Sequence, residues 1–506
     1  MLDFLFSNHY IIFEVSWILI LLSYIIAITI SFDKRSPAKT ISWLLVLTFL
    51  PGIGLIFYLL FGENLRTKKW RSRQQTIHDY LQSEEVKAIF DPADVDVLRA
   101  EASQRKIFFD TDEDLDISDK NIMHMMLRSC YAPITANNHV QIFTEGTAKF
   151  RQMMQDIEQA TDHIHLEYFI IKDCPLSREL RSLLIRKAQE GVEVRIFFDD
   201  IGSWRLYLNP FFMRGMRQAG IQAKTFVQAR FPYIHRKLNY RNHRKICVID
   251  GRIGYIGGLN IGPEYVHQNS RLGFWRDTHL RIEGPAVYFL QTVFTTDWLL
   301  LTKEKLIAER YFPDFCNIKG SSIIQIAASG ADSPHQSIYE AYFYAIAQAK
   351  ETVYIQTPYF IPDEALLTAL KTVALSGVKI KIIFPSVRDH YIVYQASLSY
   401  LEEVMEMGVE VYFYDKQPGP SFIHSKVLLV DHEIASVGTA NIDIRSFNIN
   451  SEITAFIYDK QTVNELYTMF EQDLLDCRQL NYEEFKNRGF IQKGKEAFCR
   501  LASPLL

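Results

Sequence analysis

Two long apolar runs open the chain. Residues 15–32 are 18 positions without a charge, and residues 40–62 are 23. At 1.5 Å per helical residue they reach roughly 27 and 34 Å, against a hydrocarbon core of ~30 Å. A cleaved signal peptide calls for a basic start and a small-residue cleavage site, yet residues 1–10 carry Asp3 and no Lys or Arg. The short gap at 33–39 suits a turn between antiparallel spans, and Pro51-Gly52 would kink the second. The pattern predicts a two-helix transmembrane hairpin over 1–62. Lys34, Arg35 and Lys39 lie in its loop, and Arg66, Lys68, Lys69, Arg71 and Arg73 follow it. That excess places the following domain on the cytoplasmic side of the cell membrane.

Residues 63–130 read as a charged linker, with a helical pattern near 76–90 and an acidic stretch at 110–119. The acidic stretch lacks the glycine and final glutamate of a calcium loop. Beyond 131 the pattern alternates between strand and helix. Strands are expected at 163–171, 192–198 and 221–226, with helices at 178–189 and 213–219. The same order returns as strands at 353–360, 378–384 and 409–414, with helices at 363–375 and 398–407. Gly191 and Gly377, then Gly220 and Gly408, recur where a helix needs a left-handed end residue. The fold class is therefore α/β, with two tandem units at 131–315 and 316–506 related by a pseudo-two-fold axis.

Composition narrows the function little. The net charge is −4 over 506 residues, which does not favour a nucleic-acid partner. The six cysteines show no C-x-x-C pair, which argues against a zinc module or disulfide scaffold and for buried free thiols.

One motif occurs twice. His243-Arg-Lys245, four residues, Asp250, six residues and Gly257-Gly-Leu-Asn260 are matched by His424-Ser-Lys426, Asp431 and Gly438-Thr-Ala-Asn441 at the same offsets. His and Lys at i and i+2 of a strand share a face. If the halves pack face to face, two imidazoles, two ammonium groups and two carboxamides converge on one phosphodiester. One neutral His attacks phosphorus and the other protonates the leaving alcohol. The lysines and asparagines stabilise the non-bridging oxygens, and no metal or cofactor is required. An ordinary His pKa of ~6.5 gives access to both protonation states near neutrality. Asp277 and Glu452 are the candidate acceptors that orient the histidines. Asp250 and Asp431, placed in the motif with the catalytic groups, lie at strand ends where structural ion pairs are the alternative.

These two blocks resemble the paired H-x-K-x4-D signature of the phospholipase D superfamily. The resemblance implies two phospholipase D-like units, a shared site and a phosphohistidine intermediate. The flanks 35–43, 50–54 and 58–62, with Trp275-Arg-Asp277 and the 356–362 segment, are similar to bacterial cardiolipin synthases. That similarity implies transfer of a phosphatidyl group between two phosphatidylglycerols, giving cardiolipin and glycerol at a membrane. His243 is assigned as nucleophile and His424 as acid/base. A phospholipase D-type hydrolase would use the same residues with water as acceptor. A nuclease is disfavoured by the apolar hairpin and by the net charge, and a non-catalytic scaffold by the intact double motif.

Overall fold

A computed structural model describes residues 19–30, 32, 37–58, 62, 107–108, 120–207, 209–226, 239–313, 315, 320–331 and 333–503. The chain divides into two units, one of residues 1–68 with 227–240 and one of 69–226 with 241–506.

In the first unit, residues 19–30 form a helix, followed by helices Pro37–Phe49 and Pro51–Phe57. Ala27, Ile30, Leu47 and Leu55 share a buried cluster, and Trp43 meets Tyr58 edge-on at 5.2 Å. These helices therefore pack on one another. The second run is broken at Leu50 (φ −130°, ψ 58°), because Pro51 begins a new helix and leaves a carbonyl of the preceding turn without its donor. Among the described residues no helix is long and apolar enough to cross a membrane. Residues 15–18 of the first expected span lie outside the described residues, as do the expected helix at 76–90 and the acidic stretch at 110–119.

The larger unit carries a phospholipase D-like α/β fold with two tandem halves. In the first half, strands run from the outer edge as Gln222–Thr225, Glu193–Phe198, His163–Tyr168, Ile246–Ile249, Ile253–Gly257, His279–Glu283 and Ile134–Phe143. In the second half, the matching strands are Glu410–Tyr414, Lys379–Pro385, Thr352–Gln356, Val427–Val430, Ile434–Gly438, Glu452–Ile457 and Ser322–Ser329. The first three strands named in each half are parallel and the rest antiparallel, and Cys477–Gln479 adds an antiparallel edge beside Glu410–Tyr414. Ser322–Ser329 pairs antiparallel with Ile134–Phe143, so the halves join edge to edge about a pseudo-two-fold axis. The sheet also turns back on itself. Ile246, Val248 and Leu280 of one half share a buried cluster with Leu429, Val437 and Ala455 of the other. Face-to-face packing and edge pairing thus coexist.

Local chemistry accounts for the element ends. Helix Pro210–Gln218 starts earlier than its apolar pattern suggests, because Asn209 accepts from the backbone N–H of Phe211 (3.1 Å) and Phe212 (3.3 Å), with proline next in line. Strand Thr352–Gln356 stops short of 360, just before Pro358, which has no N–H to donate. The four turn glycines have φ between 88° and 99°, as their recurrence predicts. Helix Lys120–Cys130, expected within the linker, belongs to the core. Ile122, Met123 and Met126 are buried with residues of helix Ser337–Ala347. Of the cysteines, Cys174, Cys247 and Cys499 are buried and Cys130 and Cys477 half-buried, all free, while Cys316 lies outside the described residues.

Candidate active site

Each motif strand begins against the other half. The His243 N–H donates to the Ser451 carbonyl at 2.9 Å, and the His424 N–H to the Arg276 carbonyl at 2.7 Å. These two bonds are related by the pseudo-two-fold, and each puts a histidine beside the first carboxylate of the partner strand. His243 Nδ1 meets Glu452 at 2.9 and 3.0 Å, and His424 Nδ1 meets Asp277 at 2.8 Å. The orienting pairs are therefore crossed between the halves. With Nδ1–H donated to a carboxylate, Nε2 is left with its lone pair toward the site. A charge-assisted bond of this kind contributes about 1.5–3 kcal/mol.

The site is dry. His243, Lys245, Asn260, Asp277, His424, Lys426, Asn441 and Glu452 are all buried. Burial pushes the His243 imidazole down to about 4 against the pull of Glu452. Burial and the neighbouring Lys426 ammonium do the same to His424, again to about 4. The expectation of an ordinary imidazole is thus corrected, and both rings are neutral in the empty site near neutrality. Desolvation lowers Lys245 to about 7 and Lys426 to about 8, and both feel Glu452 and Asp277. Burial opposes ionisation of Glu452 and Asp277, but their His and Lys neighbours outweigh it and hold both below the usual carboxylate range. Lys426 depresses both His243 and Lys245 across the halves, and Lys245 lowers Glu452, so the groups of both motifs act electrostatically as one site.

The lysines differ in placement. Lys426 Nζ lies 2.9 Å from His424 Nδ1, 3.1 Å from its Nε2 and 2.5 Å from its carbonyl. Lys245 Nζ donates to the His243 carbonyl at 2.6 Å. Asn260 accepts from the Ile170 N–H at 3.1 Å and donates to the Tyr265 hydroxyl at 2.9 Å. Asn441 Oδ1 is buried with no partner among the described residues.

Asp250 and Asp431 do not join this group. Asp250 accepts from the N–H groups of Thr161, Asp162 and His163 at 2.7–2.9 Å. Asp431 accepts from those of Lys350, Glu351 and Thr352 at 2.7–2.8 Å. Each carboxylate closes the turn that starts the neighbouring parallel strand. The partners are backbone amides and, for Asp250, also the Thr161 hydroxyl at 3.0 Å, neither reacting groups nor the ion pairs considered as the alternative. Both aspartates sit at positive φ, 52° and 53°, a conformation Asp tolerates better than most residues.

Sequence reasoning missed the groups that hold the site. Arg244 is bound to Asp297 and donates to the Glu452 carbonyl at 3.2 Å. Arg276 forms a fork with Asp473 at 2.8 and 2.7 Å, and Gln356 donates to the same carboxylate at 2.7 Å. Thr439 donates to Glu452 at 2.5 Å, where the first half has Gly258. A Cβ at Gly258 would stand 2.0 Å from Asp277 Oδ1, so only glycine admits the shorter acid there. Asp297 and Asp473 lie on the helix that follows each orienting acid, but nothing in a single strand pattern links them to arginines so far along the chain.

Comparison with known proteins agrees with this geometry. A family described as "Cardiolipin synthase, PLD-like domain" matches residues 153–298 and 342–474. The chain belongs to the cardiolipin synthase family of the phospholipase D superfamily. It is, with that family, a phosphatidyltransferase. A second family description, "Phospholipase D-nuclease N-terminal", matches residues 17–63. The major cardiolipin synthase ClsA of Bacillus subtilis is 40% identical over 492 residues, covering 96% of this chain and 98% of that protein. A cardiolipin synthase of Listeria monocytogenes is 42% identical over 491 residues, covering 97% and 98%. The crystal structure of phosphatidylserine synthase from Haemophilus influenzae aligns with 76% of this chain and 100% of its own, with a TM-score of 0.58 at 15% identity. That likeness concerns the fold.

Proposed function

We propose that the chain is a cardiolipin synthase that moves a phosphatidyl group from one phosphatidylglycerol to another through a phosphohistidine. The crossed pairing carries the reading, because it builds two oriented histidines of opposite duty into one dry, lysine-lined site. His243 Nε2 attacks phosphorus as the bond to the glycerol oxygen breaks. His424 delivers a proton to that oxygen. The hydroxyl of a second phosphatidylglycerol then gives its proton to His424 and attacks phosphorus, and the N–P bond breaks. His424 takes up from solvent the proton it delivers, as the bound phosphodiester's negative charge offsets the Lys426 ammonium that lies against its ring. Bound phosphodiester charge raises both imidazole pKa values and keeps both lysines protonated. Lys245, Lys426, Asn260 and Asn441 hold the non-bridging oxygens.

The reading includes a membrane location for residues 1–62, with two spans and the catalytic unit on the cytoplasmic side. The supporting observation is the apolar surface that the first unit exposes at Leu21, Ile28, Ile41, Phe49 and Ile53. Incubation of the purified chain with labelled phosphatidylglycerol tests the reaction. Cardiolipin with glycerol is expected. Phosphatidic acid alone would make the chain a hydrolase with water as acceptor.

A further inference from the structure

Equivalent loops leave the two halves next to the site, and both carry exposed aromatic residues. After strand Glu193–Phe198 the chain exposes Trp204 and Phe211, the latter 78% accessible. After the matching strand Lys379–Pro385 it exposes Tyr391 and Ile392. Each loop stacks an arginine on its aromatic ring, Arg205 on Trp204 at 5.2 Å and Arg388 on Tyr391 at 4.8 Å. Each loop is tied to a catalytic histidine. Ser203 donates to the Phe169 carbonyl at 3.2 Å, and the Phe169 ring meets His243 edge-on at 5.0 Å. Asp389 accepts from Tyr359, whose ring lies 6.5 Å from His424. The apolar lobes therefore flank the mouth of the site.

A third apolar surface lies near the second lobe. Helix Phe490–Arg500 buries Glu496 and Cys499 and turns Ile491, Phe498 and Leu501 to solvent. Its inner face is held by polar bonds, Gln492 to Gln395 at 2.7 Å and Arg500 to Glu403 at 2.7 Å. The amphipathic pattern is inside out for a soluble protein, with Phe490 at 90% exposure. Gln395 is one helical turn from Tyr391, so the start of this helix adjoins the second lobe.

Charge selects the occupant. From Ile201 to Phe226 the chain exposes Arg205, Arg214, Arg217 and Lys224 and has no Asp or Glu. From Lys486 to Leu501, Lys486 and Lys495 are exposed, while Arg488, Lys493 and Arg500 pair with Glu402, Glu403 and Glu496 on the inner side. Exposed aromatics and aliphatics interleaved with arginine and lysine match an anionic lipid interface.

We propose that the catalytic unit docks site-first on an anionic bilayer through the Trp204–Phe211 and Tyr391–Ile392 lobes and the outer face of the Phe490–Arg500 helix. This rests on the reading of the chain as a lipid transferase. It adds a second attachment, independent of residues 1–62, that lets a phosphatidyl headgroup enter without leaving the interface.

The full chain is reconstituted in phosphatidylcholine–phosphatidylglycerol vesicles with a thiol-reactive fluorophore on Phe211→Cys or, separately, Ile491→Cys. The unsubstituted chain gives the background. Leu375→Cys is the control, since Leu375 is exposed at the opposite end of the strands. Brominated lipid is expected to quench positions 211 and 491 about threefold more than 375, and aqueous iodide less. The contrast should weaken in phosphatidylcholine alone. Equal iodide access at all three positions overturns the proposal. Shielding from both quenchers with concentration-dependent self-association also overturns it, in favour of a second copy of this chain. The double variant Phe490→Ser/Ile491→Ser should lose about tenfold in turnover on vesicles and keep turnover on detergent-dispersed phosphatidylglycerol. Equal turnover on both would likewise overturn the proposal. Quenching needs no turnover, so failure of the transferase reading is seen separately.

Discussion

The two halves present the same reactive groups on differently charged supports. In the first half the residue between His243 and Lys245 is Arg244, and its helix partner is Asp297. In the second half that place is Ser425, and the arginine has moved to Arg276 on the strand carrying Asp277. The place matching Arg276 in the second half is Ser451. Each half's helix aspartate thus holds one arginine, but both arginines belong to the first half, so the Arg276–Asp473 pair crosses between the halves. Beneath the first site lie Lys149, whose Nζ donates to Tyr168 at 2.9 Å, and His279, neither of whose ring nitrogens has a partner among the described residues. Beneath the second lie the hydroxyls of Ser436 and Tyr342, 3.0 Å apart. The chemistry fixes the His, Lys and Asn positions. The support is constrained only to leave each buried charge with a partner or in its neutral form.

The sharpest way to break the near-symmetry is at the histidines. His243→Ala should abolish the covalent step. His424→Ala should lose roughly 10²–10⁴-fold with phosphatidylglycerol, the usual range for a missing general acid. A nitrophenyl phosphodiester, whose leaving group needs no proton, should rescue the first step in His424→Ala and not in His243→Ala. Mass spectrometry of the trapped adduct reads the answer directly, and an adduct on His424 reverses the roles.

Crossing predicts a second pattern. Asp277→Asn lies in the first half but should fail as a His424 lesion, rescued by the nitrophenyl substrate. Glu452→Gln should fail as a His243 lesion, without rescue. Losses of roughly 10²-fold or more are expected for each. The opposite pattern of rescue would mean that the pairing is not crossed in the working enzyme.

The lysines predict the pH dependence. Lys245 at about 7 and Lys426 at about 8 are charged below those values and lose charge as pH rises through them. The kcat/KM of the free enzyme should therefore fall on the alkaline side between about 7 and 8. The limb for kcat should lie higher, because bound phosphate holds the protons. Coincident limbs would show that the lysines do not contact the phosphate.

The smallest effect concerns the support beneath the first site. Burial pushes Lys149 down to about 7. Between that value and the unfolded-chain value of ~10.4 the unfolded state binds more protons, so stability rises with pH across this window. Lys149→Met should remove one proton's share of that slope, with melting temperature against pH as the measurement. An unchanged slope would mean that Lys149 is already paired.

Much of this was legible in the residues. The doubled spacing of His, Lys, Asp and Asn announced the duplicated fold and the histidines and lysines that interact across the halves. Glu452 and Asp277 were recognisable as orienting acids because they begin the strand after each Asn turn. Their crossing was not, because a strand pattern states which face a side chain takes and says nothing of which half's edge it meets. The structural duty of Asp250 and Asp431 was hidden for a similar reason. Their shared partners are backbone amides, which leave no mark on residue type. The histidine pKa values depend on burial from both halves at once, so an ordinary value was the expectation from one motif alone.

The crossed pairing also orders events during synthesis. His243 emerges from the ribosome more than 200 residues before Glu452, the acid that aligns it. Asp277, for its part, waits 147 residues for His424. Until the final strands are in place, neither imidazole has its tautomer set or its ring held. A partly made chain beside a membrane full of phosphodiesters is chemically silent, and it becomes reactive only when its last third has closed over its middle.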